Sequence, residues 1–311
     1  MRVVGVDEYG GPEALKVFEV PEPHVGPGQV RIRVAAATVN PTDTYTRNGS
    51  RAEMLKQFPR PHVPGMDAAG VVDEIGEGTT TGYELGDAVM AIVLPGPHGA
   101  YSEFIVVPAD SVARIPMNSS LIEASTLPMN GLTARLSFDQ LGLGTGQTLA
   151  ISGAAGAYGG YMVQLGKALG LRVIADASPD DTALVKSLGA DEVVLRGPDV
   201  ADRIRALVPE GVDAVADGSV QMAALLPAVR DGGSFVSVRG YEGEPVRGIT
   251  FHTTWVREYL KEHGKLDELR QMVEDGKITL RVAKTFPVAQ ARDAHRLLEA
   301  GGTRGRLVLL F

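Results

Sequence analysis

Thr148-Leu149-Ala150-Ile151-Ser152-Gly153-Ala154-Ala155-Gly156-Ala157-Tyr158-Gly159-Gly160 is the stretch from which the rest of the chain is read. Its first residues, within Gln147–Ser152, read as a buried strand. A glycine-rich turn follows, and a helix is expected from about Tyr158 to Leu169. The spacing Ala154-x-Gly156-x-x-Gly159 is a dinucleotide fingerprint with alanine in the first glycine slot. Gly156 lets the backbone approach a pyrophosphate, and Gly159 allows close helix–strand packing. The helix start offers unpaired N–H groups and a positive dipole end. A glycine turn alone can be purely steric. Here it follows a strand, opens a helix, and is succeeded by a strand, Arg172–Asp176, that ends on an acidic residue. Gly156, Ala157, Tyr158, Gly159 and Asp176 are therefore expected to hold a dinucleotide.

Downstream, strands at Glu192–Leu195, Val212–Ala216 and Ser234–Val238 alternate with helices expected at Asp180–Leu188, Ala201–Leu207 and Gln221–Val229. That alternation means βαβ units and a parallel sheet. Upstream the pattern is different. Val30–Ala36 alternates apolar and basic residues with the period of a half-buried strand, and Ala68–Ile75, Asp87–Leu94 and Tyr101–Pro108 are further strand candidates. Short strands between Gly/Pro turns suggest a barrel-like β domain. Helices are expected at Leu121–Leu127, Gly131–Gln140, Leu266–Asp275 and Val288–Ala300. The apolar end, Gly305–Phe311, reads as a strand able to rejoin the β domain.

The 311 residues are about two domains' worth of chain. A hydrophobic fraction of 44% and a charged fraction of 22% are ordinary for globular proteins and exclude disorder and collagen. Apolar runs such as Val89–Leu94 fall far short of the roughly 18 residues a membrane span needs. The chain has no cysteine, which excludes disulfides, thiol catalysis and thiolate zinc sites. Its net charge of −8 disfavours nucleic acid as a partner. Strand-like sequence starts at Met1-Arg2-Val3-Val4 with no targeting peptide, so a cytoplasmic location is expected.

Four blocks resemble a known family. They are Val39-Asn40-Pro41-Thr42-Asp43-Thr44-Tyr45; Pro64-Gly65-Met66-Asp67-Ala68-Ala69-Gly70-Val71-Val72; Gly131-Leu132-Thr133-Ala134 with the glycine turn through Leu188-Gly189-Ala190-Asp191; and Gly301 to Leu309. In order and spacing the chain resembles a zinc-independent medium-chain dehydrogenase/reductase of the quinone oxidoreductase (zeta-crystallin-like) branch. The resemblance implies an α/β fold: a Rossmann doubly wound parallel sheet inserted into a distorted β-barrel (GroES-like) catalytic domain. Residues 1–119 and 276–311 would form the catalytic domain and 120–275 the nucleotide-binding domain, with the active site in the cleft between them. It also implies a homodimer, paired through the last strand of the nucleotide-binding sheet near Ser234–Ile249, where Gly240–Gly248 looks hairpin-like.

Zinc-dependent relatives carry Cys where Asn40 stands and His where Met66 stands. An amide and a thioether are poor zinc ligands, and the histidines at 24, 62, 98, 252, 263 and 295 show no H-x-x-x-H pairing. Each is expected to be an ordinary surface or core histidine. The implied reaction is metal-free hydride transfer from NAD(P)H to a quinone or other α,β-unsaturated carbonyl. Negative charge then builds on a carbonyl oxygen and needs a donor. Asn40 and Tyr45 are the candidates, although Asn40 next to Pro41 also suits a helix cap. Thr133 matches the position contacting the nicotinamide end. Val238, Arg239 and Gly240 follow a strand and should pass the ring. Arg306 matches a basic position that helps the pyrophosphate or lies on the surface. The segment Met54–His62 reads as a rim, with Leu55 and Phe58 in ordinary loop packing.

The nucleotide choice rests on two opposed side chains. Asp176 favours NADH, because an acidic group accepts from the ribose hydroxyls and repels a 2′-phosphate. The lysine that NADPH-binding relatives carry after this strand is missing; Asp180, Asp181 and Thr182 stand there. Arg196 matches the position that meets the 2′-phosphate, and Asp176 can turn aside to orient it. NADPH is expected, with NADH possible. Other readings are an enoyl-thioester reductase of polyketide or fatty-acid type, and a non-catalytic crystallin-like or RNA-binding protein.

Overall fold

The computed structural model describes residues 1–94 and 99–311, and His98 lies outside the described residues. Thr148–Ser152 is a strand buried at every position but its first. It is the third of six strands in an all-parallel sheet. Their order is Glu192–Leu195, Arg172–Ala177, Thr148–Ser152, Val212–Asp217, Val229–Ser237 and Thr250–Thr253. By chain position this is the 3-2-1-4-5-6 order of the doubly wound dinucleotide fold. Strands covered on both faces read as continuous apolar runs. Val173, Ile174, Ala175, Ala214, Val215 and Ala216 accordingly have no exposed surface.

Two local expectations fail here. Gln221–Val229 is not an α-helix but a 3₁₀ run, Met222–Ala228, with Pro227 inside it. Proline lacks the N–H that an α-helix interior requires. The segment Gly240–Gly248 is not a hairpin, because the strands on either side of it, Val229–Ser237 and Thr250–Thr253, are parallel. Turn residues announce a reversal of chain density, not the direction of the next strand.

A second sheet is mainly antiparallel. Its order is Val282–Pro287, Arg306–Leu310, Gln29–Val39, Asp67–Ile75, Ala88–Ile92 and Val112–Arg114, with Phe104–Pro108 pairing to Gln29–Val39. The chain's end does return to it: Leu307 to Leu310 pair antiparallel with Val39 to Ala36. Val282–Pro287 lies beside the C-terminal strand in parallel. Gly70 is fixed by the approach of its neighbour strand, since a Cβ there would sit 2.0 Å from the Arg33 carbonyl oxygen. Val30, Ile32, Ile105 and Leu309 are among the buried core of this part.

The chain divides into two compact units, Met1–Met129 with Arg257–Phe311, and Asn130–Val256. Leu121–Ala124 and the helix His263–Glu274 thus belong to the first unit, although the sequence reading assigned them to the nucleotide-binding part. Among the described residues no helix is long and apolar enough to cross a membrane.

Candidate active site

Gly156 caps the helix Ala157–Ala168, and its N–H donates to the Gly153 carbonyl at 2.9 Å. Gly153 itself has φ +70°. A Cβ at Gly159 would lie 2.3 Å from the Gly153 oxygen, so the turn closes on the helix only because position 159 has no side chain. Gly153, Gly156 and Ala157 keep partial exposure while their neighbours are buried. The main chain is therefore open just where N–H groups of a helix start can meet an anion.

Asp176 does not project from its strand. It is 1% exposed, and its Oδ1 accepts the Gly153 N–H at 2.7 Å. Arg196 donates to both of its carboxylate oxygens, at 3.1 and 3.3 Å, and Gln221 donates to Oδ2 at 3.2 Å. The Arg196 side chain remains 42% exposed. The acidic group braces the glycine turn and orients a guanidinium whose outer face is free to take a further acceptor. In this arrangement the carboxylate is ion-paired and buried while the guanidinium stays partly exposed.

Behind the turn, Tyr158 is buried with its hydroxyl 2.9 Å from Ser137 Oγ, and burial pushes its pKa up. Ser137 also bonds Thr254 Oγ1 and the Thr133 carbonyl, each at 2.9 Å. Tyr158 thus ties the glycine-turn helix to the helix carrying Thr133, which is 7% exposed. Ser137 and Gln221 were not singled out from the sequence; isolated polar residues in helices or loops give no spacing signal. Val238 is half-buried, Arg239 and Gly240 are exposed, and the Arg239 N–H donates to Ser237 Oγ at 3.2 Å.

In the other unit, Asn40 is fully buried and caps the helix Pro41–Arg47, with its N–H on Asp43 Oδ2 at 2.8 Å. Its Nδ2 donates to Asp67 at 2.9 Å, and its Oδ1 accepts from Arg306 Nη2. The same Nη2 also reaches Thr38 and Asp67. Asn40 is thus a cap and a network member, with its amide buried rather than exposed. Arg306 is likewise neither a surface charge nor an open cation, being 5% exposed and held by these partners. Tyr45 is half-buried on the same helix, beneath the Arg51 guanidinium.

Sequence reasoning missed a buried chain of hydrogen bonds. A guanidinium can only donate, so Arg47 Nη1 gives its proton to His295 Nδ1 at 3.3 Å. His295 must then carry its own proton on Nε2, facing Tyr101 Oη at 3.0 Å. Tyr101 in turn donates to Asp43 Oδ2 at 3.0 Å. Burial raises Asp43 to about 6 despite these donors, and burial lowers His295 to about 3, with the Arg47 charge adding to that shift. Arg47 closes the chain on Glu299 at 2.6 Å.

The chain matches the Zinc-binding dehydrogenase family over residues 188–309 and the Alcohol dehydrogenase GroES-like domain over residues 26–117. It is 32% identical to the 2-haloacrylate reductase of a Burkholderia species, over 98% of this chain and 97% of that one. It is 30% identical to a quinone oxidoreductase of Pseudomonas aeruginosa, over 97% of each. A mycobacterial protein solved in complex with NADPH superposes with a TM-score of 0.85 at 29% identity, with 100% of each chain covered. The chain belongs to the medium-chain dehydrogenase/reductase superfamily, quinone oxidoreductase branch. The residues of this superfamily member do not fit the zinc that the first family description names. Asn40 is spent on Asp67 and Arg306, and the buried Met66 thioether accepts from Thr42 at 3.3 Å. Among the described residues no group of three His, Asp or Glu side chains is arranged to hold a metal.

Proposed function

We propose that this medium-chain reductase transfers hydride from NADPH, with NADH possible, to a quinone or other α,β-unsaturated carbonyl, without a metal. The observation that carries the reading is the half-open Arg196 on the buried Asp176, at the end of the second strand of the dinucleotide fold. Bound NADPH supplies the hydride. The part-exposed helix start at Gly156 and Ala157 takes the pyrophosphate, Gly159 lets the turn pack closely enough to present it, and Arg196 takes the 2′-phosphate. Tyr158 holds the turn in place through Ser137. Thr133, Val238, Arg239 and Gly240 border the nicotinamide. The Tyr45 hydroxyl donates to the carbonyl oxygen as negative charge develops there. Asn40 acts one step back, by fixing the start of the helix that carries Tyr45.

Steady-state oxidation of NADPH with a panel of quinones and enones tests this. Turnover with several of them, faster with NADPH than NADH, is expected. No turnover with any acceptor and either nucleotide contradicts it. The proposal includes a cytoplasmic homodimer joined at Thr250–Thr253, an edge strand of the parallel sheet. Pairing across a two-fold axis would cover its unpaired backbone groups. Light scattering should give twice the 32.8 kDa chain mass, and a monomer mass removes that part.

A further inference from the structure

Arg51 precedes the short helix Ala52–Leu55 and lies 5.8 Å from the centroid of the Tyr45 ring. Its Nη1 is shielded from solvent and has no hydrogen-bond partner among the described residues. Arg257 comes to the same turn: its Nη2 donates to Met54 Sδ at 3.0 Å. A thioether is a weak acceptor and carries no charge. Neither guanidinium has a carboxylate partner among the described residues, whereas Arg31, Arg47 and Arg114 in the same unit are all ion-paired. The nearby acids are taken. Glu53 pairs with Lys56, and Asp43 accepts from Asn40, Gly65 and Tyr101. Burial, and then the charge of Arg257, hold the Arg51 pKa below its ordinary value. A shielded guanidinium nitrogen without an acceptor is costly, and an arriving anion relieves both the lost hydrogen bond and the repulsion between the two cations.

We infer that Arg51 and Arg257 form a subsite for an anionic group of the substrate, a carboxylate or a phosphate, held beside Tyr45. The inference rests on the reductase reading and narrows its substrate class to carbonyl acceptors that carry a negative charge. A carboxylate on the enone itself and the phosphates of a pantetheine-type thioester share this chemistry, and two matched pairs of compounds separate them.

The first pair is acetylacrylate and its methyl ester, and the second is crotonyl-coenzyme A and crotonyl-N-acetylcysteamine, all assayed with NADPH. In one of the pairs the wild type should favour the anion in kcat/KM by about tenfold or more, the effect of one charge-assisted hydrogen bond. That preference should shrink toward unity in Arg51→Gln and Arg257→Gln, and also with added salt. A preference in the first pair identifies a carboxylate, and in the second a phosphate. No preference in either pair, or one that both variants retain, overturns the subsite. If even the neutral compounds are not reduced, the reductase reading fails by itself. Calorimetric titration with levulinate and with coenzyme A then decides the subsite without turnover: at least one should bind the wild type and bind Arg257→Gln about tenfold more weakly, and equal binding or none overturns it. Because Arg257 is exposed, its replacement leaves the core intact should Arg51→Gln fail to fold.

Discussion

Arg306 and Asp67 meet at 3.2 Å with side-chain exposures of 6% and 0%, while Arg196 and Asp176 meet at 3.1 Å with exposures of 42% and 1%. The two pairs share residue types and length, and both arginines are positions at which the sequence suggested a cofactor contact. Their surroundings separate them. Arg306 spends its Nη2 on Thr38, Asn40 and Asp67, inside a network that also takes the Met129 N–H onto Asp67. Among the described residues the Arg196 guanidinium hydrogen-bonds only the carboxylate of Asp176, and the side chain stays 42% exposed. A cation enclosed on all sides holds a fold together, and one enclosed on a single side is oriented to receive something else.

The largest effect should come from breaking the enclosed pair. Asp67→Ala leaves a buried guanidinium without its counter-charge, which costs about 3–5 kcal/mol. Urea denaturation should show that loss, and a variant as stable as the wild type would mean that the network contributes little. Next is the buried chain of the same unit. His295→Gln should cost about 1–3 kcal/mol near neutral pH by leaving Tyr101 and Arg47 poorly satisfied.

The pH dependence sharpens this case. His295 is held near 3 against an ordinary 6.5, so between those values the unfolded chain binds a proton that the folded chain refuses. Its contribution is complete above pH 6.5 and declines as pH falls, by up to about 1.4 kcal/mol per unit. Asp43, raised from 3.8 to about 6, acts in the opposite sense over its own window, gaining stability as pH falls. The stability gap between wild type and His295→Gln should therefore narrow from pH 7 to pH 5. A gap that widens contradicts a buried neutral His295.

The smallest effect belongs to the open pair. Arg196→Ala should cost about 1–2 kcal/mol, because it strips the counter-charge from the buried Asp176 carboxylate but leaves that carboxylate its bonds to Gly153 and Gln221. A loss as large as that of Asp67→Ala would erase the distinction between the two pairs.

The fold was legible where residue pattern and geometry coincide. Strand, glycine turn and helix at Thr148–Ala168 follow from apolar run, φ requirement and helix start, and the parallel sheet follows from their alternation. Pro227 is the residue in Gln221–Val229 that an α-helix interior does not accommodate, and the alternation of strands and helices does not register it. The site was legible only in part. Asp176 was named because it ends the second strand, and Arg196 because the family resemblance puts it at the 2′-phosphate position. Asn40 carried two readings because a cap next to proline and a cleft amide look alike in one dimension. Tyr101, His295 and Asp43 lie far apart in the chain, and no local period records a contact made only by the sheet and the helix Ala291–Ala300.

The central claim is that Arg196, set in place by Asp176, reads the 2′-phosphate. The most direct test is an equilibrium titration of wild type and Arg196→Ala with NADPH and with NADH. NADPH binding should weaken by about 1.5–3 kcal/mol, roughly ten- to a hundredfold, the loss of one charge-assisted contact. NADH binding should be nearly unchanged. Equal losses for the two nucleotides would contradict the claim and make Arg196 a brace for the adenine side or for the fold.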